Sequence, residues 1–292
     1  MNLVHNNYLR PSGSGNNFTI DIDPVSNSNF LNYFTASKEA AQIIADNRQG
    51  KLYLMYSGGV DSEYTLTLFR SLNIPVIPVI VKLFPEYNAH DVAYAFKYCE
   101  KHSVTPLVFD LNFDNFVKSG EMYRISMAMH CSKFQYAATA YAASQLNGTV
   151  LCGDGEPYIR PDPITKKWNV MIHEYEYGLA TYFKLNNIYG TPHFNRYTKE
   201  MYYGFLKDTR MLELASNQHP KKLGSFSSKW IIYNRDSGFN LEERPKYHGY
   251  ENIEKQLIFN DESFELIETI IGQQYNGDWI VDYFDFLNLC VQ

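Results

Sequence analysis

Apolar positions along the chain switch repeatedly between short unbroken runs and a helical spacing. Residues 36–48 have helical composition, and Gly50 follows them as a stop. Lys51–Tyr56 is a short apolar run of strand type, and Glu63–Ser71 places Leu66, Leu68 and Phe69 at helical spacing. Pro75–Leu83 is rich in β-branched residues and predicts a buried strand. Asn88 with Asp91 predicts a helix N-cap and a helix running to about His102. Thr105–Asp110 predicts a third strand, and helices over 113–128 and 131–146 follow. Asn147-Gly148 ends the second of these helices, and Thr149–Cys152 predicts a fourth strand. This alternation predicts an α/β fold, with a parallel sheet carrying helices on both faces and ligands at the carboxyl ends of its strands.

The pattern changes after residue 155. Pro157, Pro161 and Pro163 predict a loop, and Trp168–His173 predicts a hairpin strand. Tyr- and Leu-rich segments near 176–187, 198–215, 221–234 and 252–275 predict a mostly helical remainder. At the other end, Asn- and Ser-rich residues predict an arm that is extended and lies on the domain or is partly disordered, with one short strand at Phe18–Ile22. The organisation expected is therefore an arm over 1–35, an α/β unit over 36–155 and a mainly helical closing region over 156–292.

Composition narrows the classes of function. Of 292 residues, 45% are apolar, enough for a substantial core. The 24 Tyr and 19 Phe suit pocket walls and half-buried helix faces. A net charge of −6 with no basic stripe argues against a nucleic-acid backbone as the main partner. No window approaches the apolar length needed to cross a bilayer, and the N-terminal residues lack the apolar core of a signal peptide, so a cytoplasmic enzyme is expected. Cys99, Cys131, Cys152 and Cys290 are far apart and form no C-x-x-C pair, which makes them small buried apolar residues rather than a metal or disulfide framework. His130, His173, His193, His219 and His248 show no metal-ligand spacing.

The segment with the clearest chemistry is Ser57-Gly58-Gly59-Val60-Asp61-Ser62, between a strand and a helix. Two glycines let backbone amides approach an oxyanion, and a helix N-terminus adds partial positive charge. Ser57 and Ser62 can donate to phosphate oxygens. Asp61 repels a bare phosphate, so its role is to bind the Mg²⁺ that bridges phosphate oxygens. No Gly-Lys-Ser/Thr follows, and the G-x-G-x-x-G dinucleotide pattern is absent.

The hexapeptide resembles the PP-loop of the N-type ATP pyrophosphatases, which reads S-G-G-x-D-S, and all fixed positions match. The resemblance implies an adenine nucleotide alpha hydrolase-like (HUP) sheet, cleavage of ATP to AMP and pyrophosphate, and adenine against the second strand near Ile80 and Val81. Three later segments are similar to the synthetase domain of asparagine synthetase. Leu151-Cys152-Gly153-Asp154-Gly155-Glu156 resembles a glycine–acid–glycine turn at the end of the fourth strand, although Pro157 and Tyr158 stand where the family has a second acidic pair. A carboxylate flanked by glycines at a strand end can bind Mg²⁺ or accept a proton from an attacking amine. Thr191-Pro192-His193-Phe194-Asn195 loosely resembles R-x-P-F-L-D, without its Arg and Asp, and fits a helix-entry turn equally. Ser228-Lys229-Trp230, followed by Arg244-Pro245-Lys246 and Gly249-Tyr250, resembles the family's Lys, Arg-x-Lys and Gly-aromatic series. That match makes Lys229 the cation that neutralises the α-phosphate, with slippage to Lys221 or Lys222 left open; Arg244 and Lys246 order a loop over the nucleotide or pair with Glu242 and Glu243.

Together these resemblances imply an adenylating ligase that forms an amide through an acyl adenylate. ATP and Mg²⁺ are the cofactors, and Ser57, Gly58, Gly59, Val60, Asp61, Ser62, Val81 and Gly153 hold the nucleotide. Asp61 and Asp154 are the expected metal ligands; Lys229, Asp154 and Glu156 are the expected catalytic residues. The partners are a small carboxylate and an amine or ammonia. Asn2 occupies the place of the glutaminase nucleophile, so ammonia is expected from solution or from a separate glutaminase. Two further readings are a PP-loop enzyme modifying a nucleobase or tRNA and a non-catalytic nucleotide-binding module. A lone Cys290 argues against a sulfonucleotide reductase.

Overall fold

Continuous apolar runs form the strands of a buried parallel sheet, and the helices between them cover its two faces. The computed structural model describes residues 8–24, 32–208, 211, 229–244 and 262–289. Lys221, Lys222, Ser228, Pro245, Lys246, Gly249, Tyr250, His219, His248 and Cys290, named above, lie outside the described residues, as do parts of the helices expected over 198–215, 221–234 and 252–275.

A hairpin of β1 (Leu9–Ser12) and β2 (Thr19–Ile22) precedes α1 (Tyr33–Asn47). The α/β alternation then runs β3 (Lys51–Met55), α2 (Val60–Ser71), β4 (Ile77–Phe84), α3 (Ala89–Lys101) and β5 (Leu107–Asn112). It continues through α4 (Phe113–Lys118), α5 (Glu121–Met129), α6 (Phe134–Ser144) and β6 (Gly148–Cys152). Beyond these lie β7 (Tyr158–Pro161), β8 (Trp168–His173), α7 (Gly178–Leu185), β9 (Gly190–Thr191) and α8 (Lys199–Leu206). The last described elements are α9 (Trp230–Arg235), α10 (Glu262–Gln274), β10 (Asp278–Asp282) and α11 (Tyr283–Leu289).

Strands β5-β4-β3-β6-β9 form one sheet in that order, and every neighbouring pair is parallel. Side chains of β3 alternate between two cores. Leu52 and Leu54 join the core with α1, α2 and α3, whereas Met55 joins the core with α4 to α7. The chain winds outward from β3 through β4 and β5, then resumes on the other side with β6. The strand order therefore reverses between β3 and β6, and a crevice opens there at the carboxyl ends. The glycine loop leaves β3 at this point, and Gly153–Glu156 leaves β6.

Three expectations are corrected. The helix expected over 113–128 breaks at Gly120, whose φ of +78° puts it in the left-handed region and starts α5 afresh. The proline-rich loop contains β7, an outer strand of an antiparallel sheet β10-β8-β7, with Pro161 as its last residue, where a missing N–H is tolerated. Consequently the closing region carries a sheet as well as helices, and β10 was not anticipated. Over residues 8–24 the arm lies on the domain as expected, with its strand at Thr19–Ile22 and with Tyr8, Leu9, Phe18 and Ile20 buried. Glu174 Oε2 accepts the Gly15 N–H at 2.8 Å and the Gly277 N–H at 2.9 Å, tying the hairpin to the second sheet.

The three described cysteines, Cys99, Cys131 and Cys152, are free and buried, in line with a packing role. Phe69 of α2 is fully buried and meets Phe194 edge-on at 5.4 Å, which couples the helix behind the glycine loop to the segment before α8. We expect Phe69→Ala to lower folding stability by about 3–5 kcal/mol in urea titration. An undiminished midpoint would show that this coupling contributes nothing.

Candidate active site

The glycine loop is shaped by close backbone approach. Strand β3 ends at Met55, and the Tyr56 N–H donates to Val79 O at 2.8 Å before the chain turns. Gly58 has φ +84°, and a Cβ there would lie 2.7 Å from Asp91 O and 2.8 Å from Ala95 N, so only glycine fits. Helix α2 begins at Val60 with Gly59 as its N-cap, and no side chain caps it. The N–H groups of its first turn therefore have no acceptor within the helix, and its positive end is open to an anion. Ser62 Oγ donates to Gly59 O at 3.0 Å, the Gly59 N–H donates to Ser57 Oγ at 3.3 Å, and the two hydroxyls lie 3.2 Å apart. Ser57, Asp61 and Ser62 face a cavity of 220 Å³. Val60 packs its side chain into the core and offers the loop only its backbone.

The end of β6 lies directly against this turn. A Cβ on Gly153 would sit 2.7 Å from Ser62 Cα, so glycine is what lets strand and helix meet. That approach places Asp154 and Glu156 in front of the loop. Lys229, immediately before α9, pairs with Asp61 Oδ2 and donates to Glu156 Oε1 at 2.6 Å, with its side chain only 6% exposed. Tyr233 lies one helical turn further on and donates to Asp61 Oδ1 at 2.5 Å. Its ring stacks on Tyr64 with centroids 4.5 Å apart. Asn195 donates through Nδ2 to Gly153 O at 2.5 Å and to Tyr233 Oη at 3.3 Å, and accepts from the Tyr33 hydroxyl at 3.0 Å.

Sequence reasoning thus named Asp61, Asp154, Glu156 and Lys229, which converge, and missed Tyr33, Asn195 and Tyr233. A signal for Tyr233 existed, because it stands four residues after Lys229 and a helix puts both on one side. Asn195 sits in the segment matched only loosely. Arg244 pairs with Glu63 in the first turn of α2 and, at 3.7 Å, with Glu242; its guanidinium lies 4.9 Å from the Tyr94 ring. Glu243 is not its partner, and Glu63 was not foreseen.

One wall of the same cavity is apolar, lined by Met55, Val79, Val81 and Leu83. The Ile80 side chain points to the other core and does not line this cavity, whereas Val81 does. Asn88 is the N-cap residue of α3, as expected. Its side chain makes no cap hydrogen bond; it donates to Val81 O and accepts from Leu83 N–H, both at 2.8 Å. It occupies the strand edge that β3 leaves open by ending opposite Val79.

Two carboxylates hold one ammonium, and a third, Asp154, shares their electrostatic field. Burial raises the pKa of Asp61 to about 6, with Glu156 adding and Lys229 opposing. Asp154 rises to about 7 through burial, then through the charges of Glu156 and Asp61. Burial pulls Lys229 down, but Asp61 and Glu156 together outweigh it and hold the lysine charged. Among the described residues no three His, Cys, Asp or Glu side chains are grouped to hold a metal ion by themselves. A hard cation at Asp61 would need phosphate oxygens and water to complete its shell, as Mg²⁺ commonly does.

Two outcomes follow. A carboxyl whose folded pKa is raised stabilises the fold below its unfolded value, near pH 4, and loses that contribution as pH climbs to about 7. We therefore expect Asp154→Asn to flatten the stability–pH curve in that window, measured by urea unfolding across pH; an unchanged slope would refute the assignment. Lys229→Met should cost about 3 kcal/mol or more near pH 8, and less near pH 5, because it strands two buried carboxylates that protonation relieves. Equal costs at both pH values would contradict this.

Compared with protein-family models and with curated proteins, this chain matches none.

Proposed function

We propose that this chain is an ATP-dependent adenylating ligase of the PP-loop kind, on the adenine nucleotide alpha hydrolase-like form of its parallel sheet, cleaving ATP to AMP and pyrophosphate and forming an amide from a carboxylate. The observation that carries this reading is the juxtaposition at the strand-order reversal. An uncapped helix N-terminus behind two glycines faces a buried lysine shared by two carboxylates. The first feature suits a phosphate group, and the second suits charge that develops beside it.

Bound MgATP would supply an electrophilic phosphorus for the carboxylate substrate and a pyrophosphate leaving group. The chain's residues then divide the work. Ser57, Gly58, Gly59 and Ser62, with the first-turn amides of Val60 and Asp61, hold the phosphate oxygens. Asp61 holds Mg²⁺. Val81, on the apolar wall, and Gly153, at the β6 end, flank the nucleotide. Lys229 supplies positive charge at the phosphorus, and Glu156 together with Asp61 keeps its ammonium on station. Asp154, with a pKa near neutrality and no side-chain partner among the described residues, takes the proton of the attacking amine. Tyr233 and Asn195 are positioning residues that fix Asp61 and the Gly153 carbonyl.

The reaction involves small molecules, with a separate glutaminase as one source of ammonia. No described helix is long and apolar enough to cross a membrane.

The test is pyrophosphate release from MgATP with a panel of carboxylates and amines. We expect release that depends on one carboxylate, and a loss of about a hundredfold or more in Asp61→Ala and in Lys229→Met. Nucleotide binding without release for any pair would overturn the ligase reading.

A further inference from the structure

A second cavity, of 210 Å³, shares Asp154 and Tyr136 with the first and extends to the β7–β8 sheet. There it is lined by Tyr158, Arg160, His173 and Tyr175. Most of the charge around it is already committed. Glu176 accepts from Arg196 Nη1 at 2.7 Å and from the His173 backbone N–H at 3.0 Å. His173 Nδ1 lies 2.6 Å from Asp278 Oδ1, and Glu156 holds Lys229.

Two charges in the lining are left over. Arg160 has no carboxylate partner among the described residues; its guanidinium lies 4.6 Å from the centre of the Tyr158 ring, and its buried Nε has no hydrogen-bond partner. Asp154 makes no ion pair or side-chain hydrogen bond among the described residues. A partly desolvated charge without a partner is costly, so a site holding one of each sign is completed by a ligand that carries both. Guanidinium geometry favours a carboxylate, which it can grip through two parallel N–H bonds. A carboxylate at Asp154 favours an ammonium. The same lining holds the rings of Tyr136, Tyr158 and Tyr175, the last packed face to face on His173 at 5.0 Å. Such walls accept an apolar or planar stem.

We propose that this cavity binds a free amino acid as its zwitterion, carboxylate on Arg160 and ammonium on Asp154. Because Asp154 belongs to both cavities, the amino end lies against the nucleotide cavity and the carboxylate end lies away from it. The amino acid is thereby the amine partner of the amide bond, a role that rests on the ligase reading, whereas the binding does not. Ammonia alone would make no use of Arg160 or of the tyrosine walls.

The experiment is calorimetric titration of the full wild-type chain, without nucleotide, by each of the common amino acids. The best binder is then compared with its methyl ester and its N-acetyl derivative. We expect at least one amino acid to bind and each blocked derivative to bind tenfold or more weakly. In Arg160→Met the ester and free acid should bind alike, and in Asp154→Asn the N-acetyl and free forms should bind alike. The blocked ligands test the wild-type protein, so the result does not depend on how the variants fold. Absence of binding by every amino acid, or blocked derivatives that bind as tightly, overturns the proposal. Pyrophosphate release without amino-acid binding would leave the ligase reading and remove this one; selective binding without release would do the reverse.

Discussion

The ammonium of Lys229 is the contact on which the rest of the site depends. It arrives from α9, meets Asp61 from α2 and Glu156 from the segment after β6, and so joins three parts of the chain at one atom. Without it, the carboxylates at the end of the parallel sheet would repel one another in a place that water reaches poorly. The protein accepts the desolvation of a lysine in order to hold negative charge where a phosphate and a cation could meet it. Around that contact sits a layer of neutral hydrogen-bonding groups: Tyr233 on Asp61, Asn195 on Gly153, and Tyr33 on Asn195. These fix geometry without adding charge, which is why the acidic surplus is not cancelled.

The same arrangement explains why the glycines fall where they do. Gly58 lets the loop pass under α3, and Gly153 lets the end of β6 touch the first turn of α2. Each removes one methyl group's worth of separation. Together they bring an uncapped helix end and the carboxylate–lysine cluster within one crevice, at the point where the strand order reverses.

The parallel sheet was legible from sequence because its signal is local: each strand is an apolar run, and each loop carries its own punctuation. The glycine loop was legible for the same reason, and Lys229 emerged from the resemblance of its segment to a synthetase series of Lys and Arg-x-Lys. What sequence could not convey was partnership between distant segments. Asn88 stands at the helix N-cap that Asp91 at cap spacing suggested, but its amide is used on β4 rather than on the helix. The strand character of β7 was hidden by its prolines, since edge pairing that tolerates them depends on β8. Similarly, β10 has a recognisable alternation only once β8 is known to lie beside it. Asn195 and Tyr33 were missed because nothing local marks a neutral side chain that meets a distant carbonyl or amide.

Glu174 illustrates a consequence for how the molecule is made. One carboxylate oxygen accepts from Gly15 and from Gly277, near the two ends of the described chain. A nascent chain emerging from the ribosome therefore exposes Phe18 and Ile20 long before β10 exists to receive them. The hairpin has no finished berth until Gly277 and β10 have been made, so those side chains stay wet, and prone to association with other nascent chains, while the segment between them is synthesised.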